Sequence, residues 1–144
     1  MRLLIIAALL SIGQLPNSAA AQTIAGVIET HQPYDLSHHN GKPPRRKLRF
    51  WIGENSDFSV CGKCLCFMGK VTARYPQLGI KATSGSPTFD CERDSREFSA
   101  DEKIASQFMK MKHAHAHGPI LVFSNGHHNQ MVFALGSGEL TPPD

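Results

Sequence analysis

Val60-Cys61-Gly62-Lys63-Cys64-Leu65-Cys66-Phe67-Met68 is the stretch whose reading sets the fold. From Cys61 onward, Leu65, Met68, Val71 or Thr72, and Tyr75 recur at helical spacing. That pattern predicts a helix on this segment. Pro76 ends it, because the residue before a proline is pushed out of the helical region. Upstream, the run LRFWI at 48–52 is rich in aromatic and branched residues and predicts a strand, with 53–60 as the connecting loop. Downstream, Leu78, Ile80 and Ala82 alternate with Gly79 and Lys81, which predicts another strand.

A Cys-x-x-Cys pair between a strand and a helix has a chemical meaning. A helix N-terminus carries partial positive charge and unpaired amide donors. Both favour a thiolate, the attacking species in disulfide exchange. Lys63 adds a cation. Cysteines at i and i+3 share a helical face and can close a small disulfide. On this reading Cys61 is the catalytic nucleophile and Cys64 resolves the mixed disulfide. Cys66 projects to another side of the helix, so it either pairs with Cys91 as a structural bridge or is buried. These four are all the cysteines of the chain, and their even number forces no thiol to stay free. Two other readings compete. In the first, all four serve only as staples, as small secreted domains often use them. A zinc site would need a second paired knuckle, whereas here the C-x2-C-x-C cluster is followed by the lone Cys91.

The rest of the chain is read by the same rules. Residues 23–29 form a candidate first strand, and 31–46, polar and holding three prolines, a loop. Ser99-Ala-Asp-Glu102 has the form of a capping box. Ile104, Phe108 and Met111 continue it as an apolar stripe, so a helix is expected to about Lys112. Residues 120–123 and 130–135 are strands joined around Asn125-Gly126, a strong hairpin signal. His113-Ala-His-Ala-His117 is unusual. If the segment is extended, His113, His115 and His117 share a face. Imidazoles suit zinc, copper or nickel. Against a metal site stands a solvated polar connector, since histidine-rich tracts carry only a compositional signal.

Residues 1–21 read as a cleavable export signal. Arg2 precedes the apolar run at 3–10, and Ala19-Ala-Ala21 offers a small-residue cleavage pattern. Gly13, Gln14, Pro16 and Asn17 interrupt the run far short of the ~20 apolar residues a membrane span needs. The expected location is therefore secreted or periplasmic, with no stable membrane span after cleavage. Cleavage lowers the formal charge from +3 to +2, too mild and scattered to argue for nucleic acid. The one dense basic run, Lys42-Pro-Pro-Arg45-Arg46-Lys47, reads as an exposed, solvated linker. The expected division is 1–21 signal peptide, 22–47 N-terminal strand and polar loop, 48–138 main domain, and 139–144 disordered tail.

LRFWI, CGKC, a helix ending in Tyr75-Pro76, LGIKA at 78–82, Gly118-Pro119 and the closing hairpin together resemble the thioredoxin-like fold family over 48–138. The resemblance implies an α/β fold: a mixed sheet with flanking helices, ending in an antiparallel hairpin. It also implies Cys61 and Cys64 as the redox pair, with Pro119 as a cis-proline facing them. Val60 stands where the family usually has tryptophan. A rival strand, C-x2-C and helix family, the zinc-dependent nucleobase deaminases, needs an upstream His-x-Glu. His31, His38 and His39 are followed two residues on by Pro33, Asn40 and Gly41, so the glutamate is lacking. The leading functional expectation is an exported thiol–disulfide exchange protein that needs no dissociable cofactor and acts on protein thiols or disulfides. The alternatives are a secreted protein binding a transition-metal ion through the histidines, and a disulfide-stapled binding module without catalysis.

Overall fold

The computed structural model describes residues 22–88, 91–126 and 128–137. The expected signal at 1–21, the tail at 139–144 and His127 lie outside the described residues. The described residues form eight strands: β1 Tyr34–His39, β2 Arg49–Ile52, β3 Asp57–Cys61, β4 Leu65–Val71, β5 Ile80–Pro87, β6 His113–His117, β7 Ile120–Ser124 and β8 Gln130–Leu135. One helix, α1 Arg96–Phe108, lies between β5 and β6. The strands make a single sheet in the order β5-β4-β3-β2-β1-β8-β7-β6, and every pairing is antiparallel.

The sheet curls into an open half-barrel around α1. Alternate residues of the strands point inward, as the two-residue period of a strand requires. Phe50, Phe58, Phe123 and Phe133 come from β2, β3, β7 and β8, and all are buried. Phe108 at the end of α1 reaches into their midst, with ring centroids 5.0 Å from Phe123 and 5.5 Å from Phe50. The interior is thus filled by aromatic side chains from opposite walls and from the helix. The two ends of the sheet approach each other at one corner. There Leu78 N–H donates to Lys112 O (2.7 Å) and Ala114 N–H to Pro76 O (2.8 Å), covering part of the β6 edge.

This architecture corrects the expected thioredoxin-like α/β fold. No mixed sheet with flanking helices is present among the described residues. The segment after Cys64, expected as a helix, is strand β4. Its residues fit both periods: Leu65, Gly69 and Val71 are buried at alternate positions, while Met68 and Lys70 face outward. The period of two prevails because β4 is paired along both edges, to β3 and to β5. Residues 53–60, expected as a loop, include β3, which makes a hairpin with β2. Residues 23–29, expected as a strand, hold a single turn of 3-10 helix at Ile24–Gly26. The first strand instead lies within the expected loop, as β1 in mid-sheet. Residues 83–87 extend β5 beyond the predicted strand at 78–82. The helix starts earlier than Ser99: Ser95 is its N-cap, its hydroxyl accepting from Phe98 N–H (3.1 Å). The capping box thus lies inside the helix. The Cα pairing of the β7–β8 hairpin runs from Ile120 to Gln130 as the sequence indicates. Pro119 is not a cis-proline: it sits in the β6–β7 turn, and the cis peptide bond precedes Pro76.

Candidate functional site: a locked cysteine turn and a basic cleft

The four cysteines meet at one end of the half-barrel, in an arrangement the helix reading did not anticipate. Cys61 ends β3, and Cys66 lies directly opposite it on β4. They are joined by a disulfide across the hairpin. Cys64, in the turn between them, is 1% exposed and bonds to Cys91. Cys61 and Cys64 are therefore not bonded to each other, nor Cys66 to Cys91. In a strand–turn–strand geometry, the residue facing Cys61 is the one across the hairpin, not the one at i+3. Threonine 88 adds to the second tie, its N–H reaching Cys64 O and its hydroxyl Lys63 O, both at 2.9 Å.

Asp101 fastens this turn to the helix. It is 1% exposed, and it is the buried charged residue of the described chain. Its Oδ2 accepts the Cys64 N–H at 2.6 Å. Gly62 makes the approach feasible, since a side chain there would collide with the Asp101 carboxylate. Its Oδ1 lies 3.4 Å from Arg46 Nη2. The same Nη2 donates to Glu97 O at 2.8 Å, so Arg46 bridges the β1–β2 loop and α1. Buried charges persist when paired and hydrogen-bonded; Asp101 is hydrogen-bonded at Oδ2 by Cys64 N–H and faces Arg46 at Oδ1, which itself accepts no hydrogen bond.

Arg46 also forms part of a cleft of about 790 Å³ between the β1–β2 loop and the outer side of α1. The loop begins as a tight hairpin turn. Asn40 and Gly41 both have positive φ, 52° and 75°, and His39 and Lys42 pair across them. Two positive-φ central residues make a type I′ turn, which Asn-Gly favours. Pro43 and Pro44 then lead the chain along α1. Lys42, Arg45 and Arg46 line one wall; Arg96 and Lys103 line the other. Glu97 is the carboxylate of the lining, and Pro43, Pro44, Ala100 and Ile104 give it apolar surface. Arg96, Ala100, Lys103 and Gln107 recur at three and four residues, so they share one stripe of the helix. Among the described residues, Lys42, Arg45, Arg96 and Lys103 make no ion pair. The cations therefore outnumber the carboxylate around one concave surface. His39 also lines the cleft, and its Nε2 is buried without a hydrogen-bond partner.

The other residues singled out by the sequence are elsewhere. His113, His115 and His117 are all exposed on β6, on one face as extended backbone demands. Among the described residues, no three His, Cys, Asp or Glu side chains come together as a metal ion requires. His115 instead packs edge-on against Tyr75, whose hydroxyl accepts the Ala116 N–H (3.1 Å). Pro119 lies in the turn at the end of β6, and its carbonyl accepts from Leu135 N–H (2.8 Å). Sequence reasoning missed Asp101, Arg96, Lys103 and His39. Two signals pointed toward them: Asn40-Gly41 as a hairpin turn, and the repeat of Arg96 and Lys103 along one helical stripe.

No protein-family model matches this chain, and no curated protein does. Solved structures share its shape. A protein structure determined by NMR aligns over 79% of this chain and 96% of its own, with 17% identity and a TM-score of 0.54. A crystal structure of a duf4847 family protein from Bacteroides vulgatus ATCC 8482 aligns over 64% of this chain and 61% of its own, at 12% identity and a TM-score of 0.49. The first likeness is one of fold alone.

Proposed function

We propose that this protein is an exported, disulfide-stapled binding module without catalytic chemistry, and that its ligand is anionic. The observation that carries the reading is the basic cleft, whose wall is anchored through Arg46 and Asp101 to a turn held by both disulfides. The arrangement resembles a preformed binding site more than a solvated charge run. Its cations are held on two walls rather than on one free segment, and rigid presentation reduces the entropy lost on binding. The half-barrel interior is filled by aromatic rings, so the ligand surface is placed outside it. Export is supported by the two disulfides, which persist in oxidising compartments. It is also consistent with the described residues holding no helix long and apolar enough to cross a membrane.

The test has two arms. In an insulin-reduction assay, the wild type is expected to show no turnover above a Cys61→Ser variant; turnover that depends on Cys61 would restore thiol–disulfide exchange. On immobilised heparin, a general anionic matrix, the oxidised wild type is expected to elute at higher salt than an Arg45→Ala/Lys103→Ala double variant. Equal elution would remove the cleft as the binding face.

A further inference from the structure

We infer that the cleft takes a compact ligand carrying several phosphate groups; this rests on the binding-module reading above. The charge balance comes first. Arg46 is paired with Asp101, and Lys42, Arg45, Arg96 and Lys103 face one further carboxylate, Glu97. A ligand with one negative charge would leave most of these cations mutually repelling, whereas clustered phosphates match them. The donor chemistry agrees. Three of the five are arginines, whose planar forks bind phosphate oxygens in pairs. Arg46 has one Nη2 engaged by Asp101 and Glu97 O, which fixes the orientation of its guanidinium toward the cleft wall. Lys42 and Lys103 are exposed, and each presents a compact ammonium with three donors.

Size and shape narrow the class. About 790 Å³ accommodates a small polyphosphate or a phosphorylated ring, within the range of ordinary small-molecule sites. The lining holds no Phe, Tyr or Trp, so no large aromatic ring is placed to stack a nucleobase. Recognition therefore falls on the phosphates. The shared chemistry, adjacent phosphates, is available from inorganic polyphosphate or from a phosphorylated polyol.

Isothermal titration of the oxidised full-length mature protein with inorganic tripolyphosphate and, separately, with inositol hexakisphosphate tests this. Binding of either is expected at 0.15 M salt, and the tighter of the two identifies the source. Arg45→Ala and Lys103→Ala should each weaken it about tenfold, as loss of one charge-assisted hydrogen bond implies. Lys81→Ala, on β5 and outside the cleft, should change it less than twofold. Far-ultraviolet circular dichroism of each variant establishes that it is folded. Retention on heparin without binding of either phosphate compound overturns this inference and leaves the binding-module reading standing. Failure to bind heparin and both phosphate compounds overturns the two together. Phosphate binding that Arg45→Ala and Lys103→Ala leave unchanged overturns the assignment to this cleft.

Discussion

Replacing Asp101 probes the joint between the cysteine turn, the helix and the cleft. In Asp101→Ala the Cys64 N–H, buried and 2.6 Å from the lost oxygen, has no acceptor. An orphaned buried donor costs about 1–3 kcal/mol. The Arg46 pairing adds little, since the Arg46 side chain is 30% exposed and pairs in contact with solvent contribute about 0–1 kcal/mol. Removing a buried carboxylate also relieves some desolvation, so the net expected loss is about 2–3 kcal/mol. Asp101→Asn keeps an acceptor for Cys64 N–H and loses only the attraction to Arg46, for about 1 kcal/mol. Urea unfolding followed by tryptophan fluorescence of Trp51 measures both. With a slope of about 2 kcal/mol/M for a domain of this size, Asp101→Ala should lower the midpoint by about 1–1.5 M and Asp101→Asn by about 0.5 M. An alanine variant within 0.5 kcal/mol of wild type would refute the role of the carboxylate. Equal damage by both substitutions would show that the charge, not the hydrogen bond, holds the turn.

Three further outcomes follow from the packing and the covalent ties. Phe108→Ala removes the ring that plugs the half-barrel and should cost about 3–5 kcal/mol by chemical denaturation; a loss under 1 kcal/mol would mean the helix is not integral to the core. Removing the Cys64–Cys91 bond, which spans 27 residues, should cost about 3.5 kcal/mol, against about 2 kcal/mol for the Cys61–Cys66 bond, which spans 5; a reversed order in paired serine variants would contradict this. Burial pushes the Tyr34 phenol above its ordinary value, against the hydrogen bond from Glu29 N–H and with the Glu29 charge adding to the rise. Its contribution to stability is thus complete below about pH 10 and lost as pH rises through the raised value. Tyr34→Phe should flatten the alkaline fall in stability measured by denaturation between pH 9 and about 11.5, and an unchanged fall would assign it to other groups.

What could be read from the sequence was the local pairing, and what could not was its context. The β7–β8 hairpin was legible because Asn125-Gly126 lies between two apolar runs. LRFWI was legible as β2 for its branched and aromatic residues. The CGKC segment misled because Leu65, Met68 and Val71 satisfy a helical stripe, while Leu65 and Val71 also satisfy a strand. Which period wins depends on partners on both sides, β3 and β5, that the segment itself does not reveal. The disulfide pairing failed with it: once the segment is a hairpin, Cys61 faces Cys66. The basic run was visible as composition. Its conversion into a cleft required α1 to lie beside it, a long-range contact absent from local pattern.

The disulfide map of the oxidised protein tests the locked turn most directly. Trypsin cleaves after Lys63 and chymotrypsin after Leu65, so together they separate Cys61, Cys64 and Cys66 into different peptides. Mass spectrometry under non-reducing conditions should find the Cys61 peptide joined to Cys66 and the Cys64 peptide joined to Cys91. A Cys61–Cys64 linkage would contradict the locked turn and return the chain to disulfide exchange.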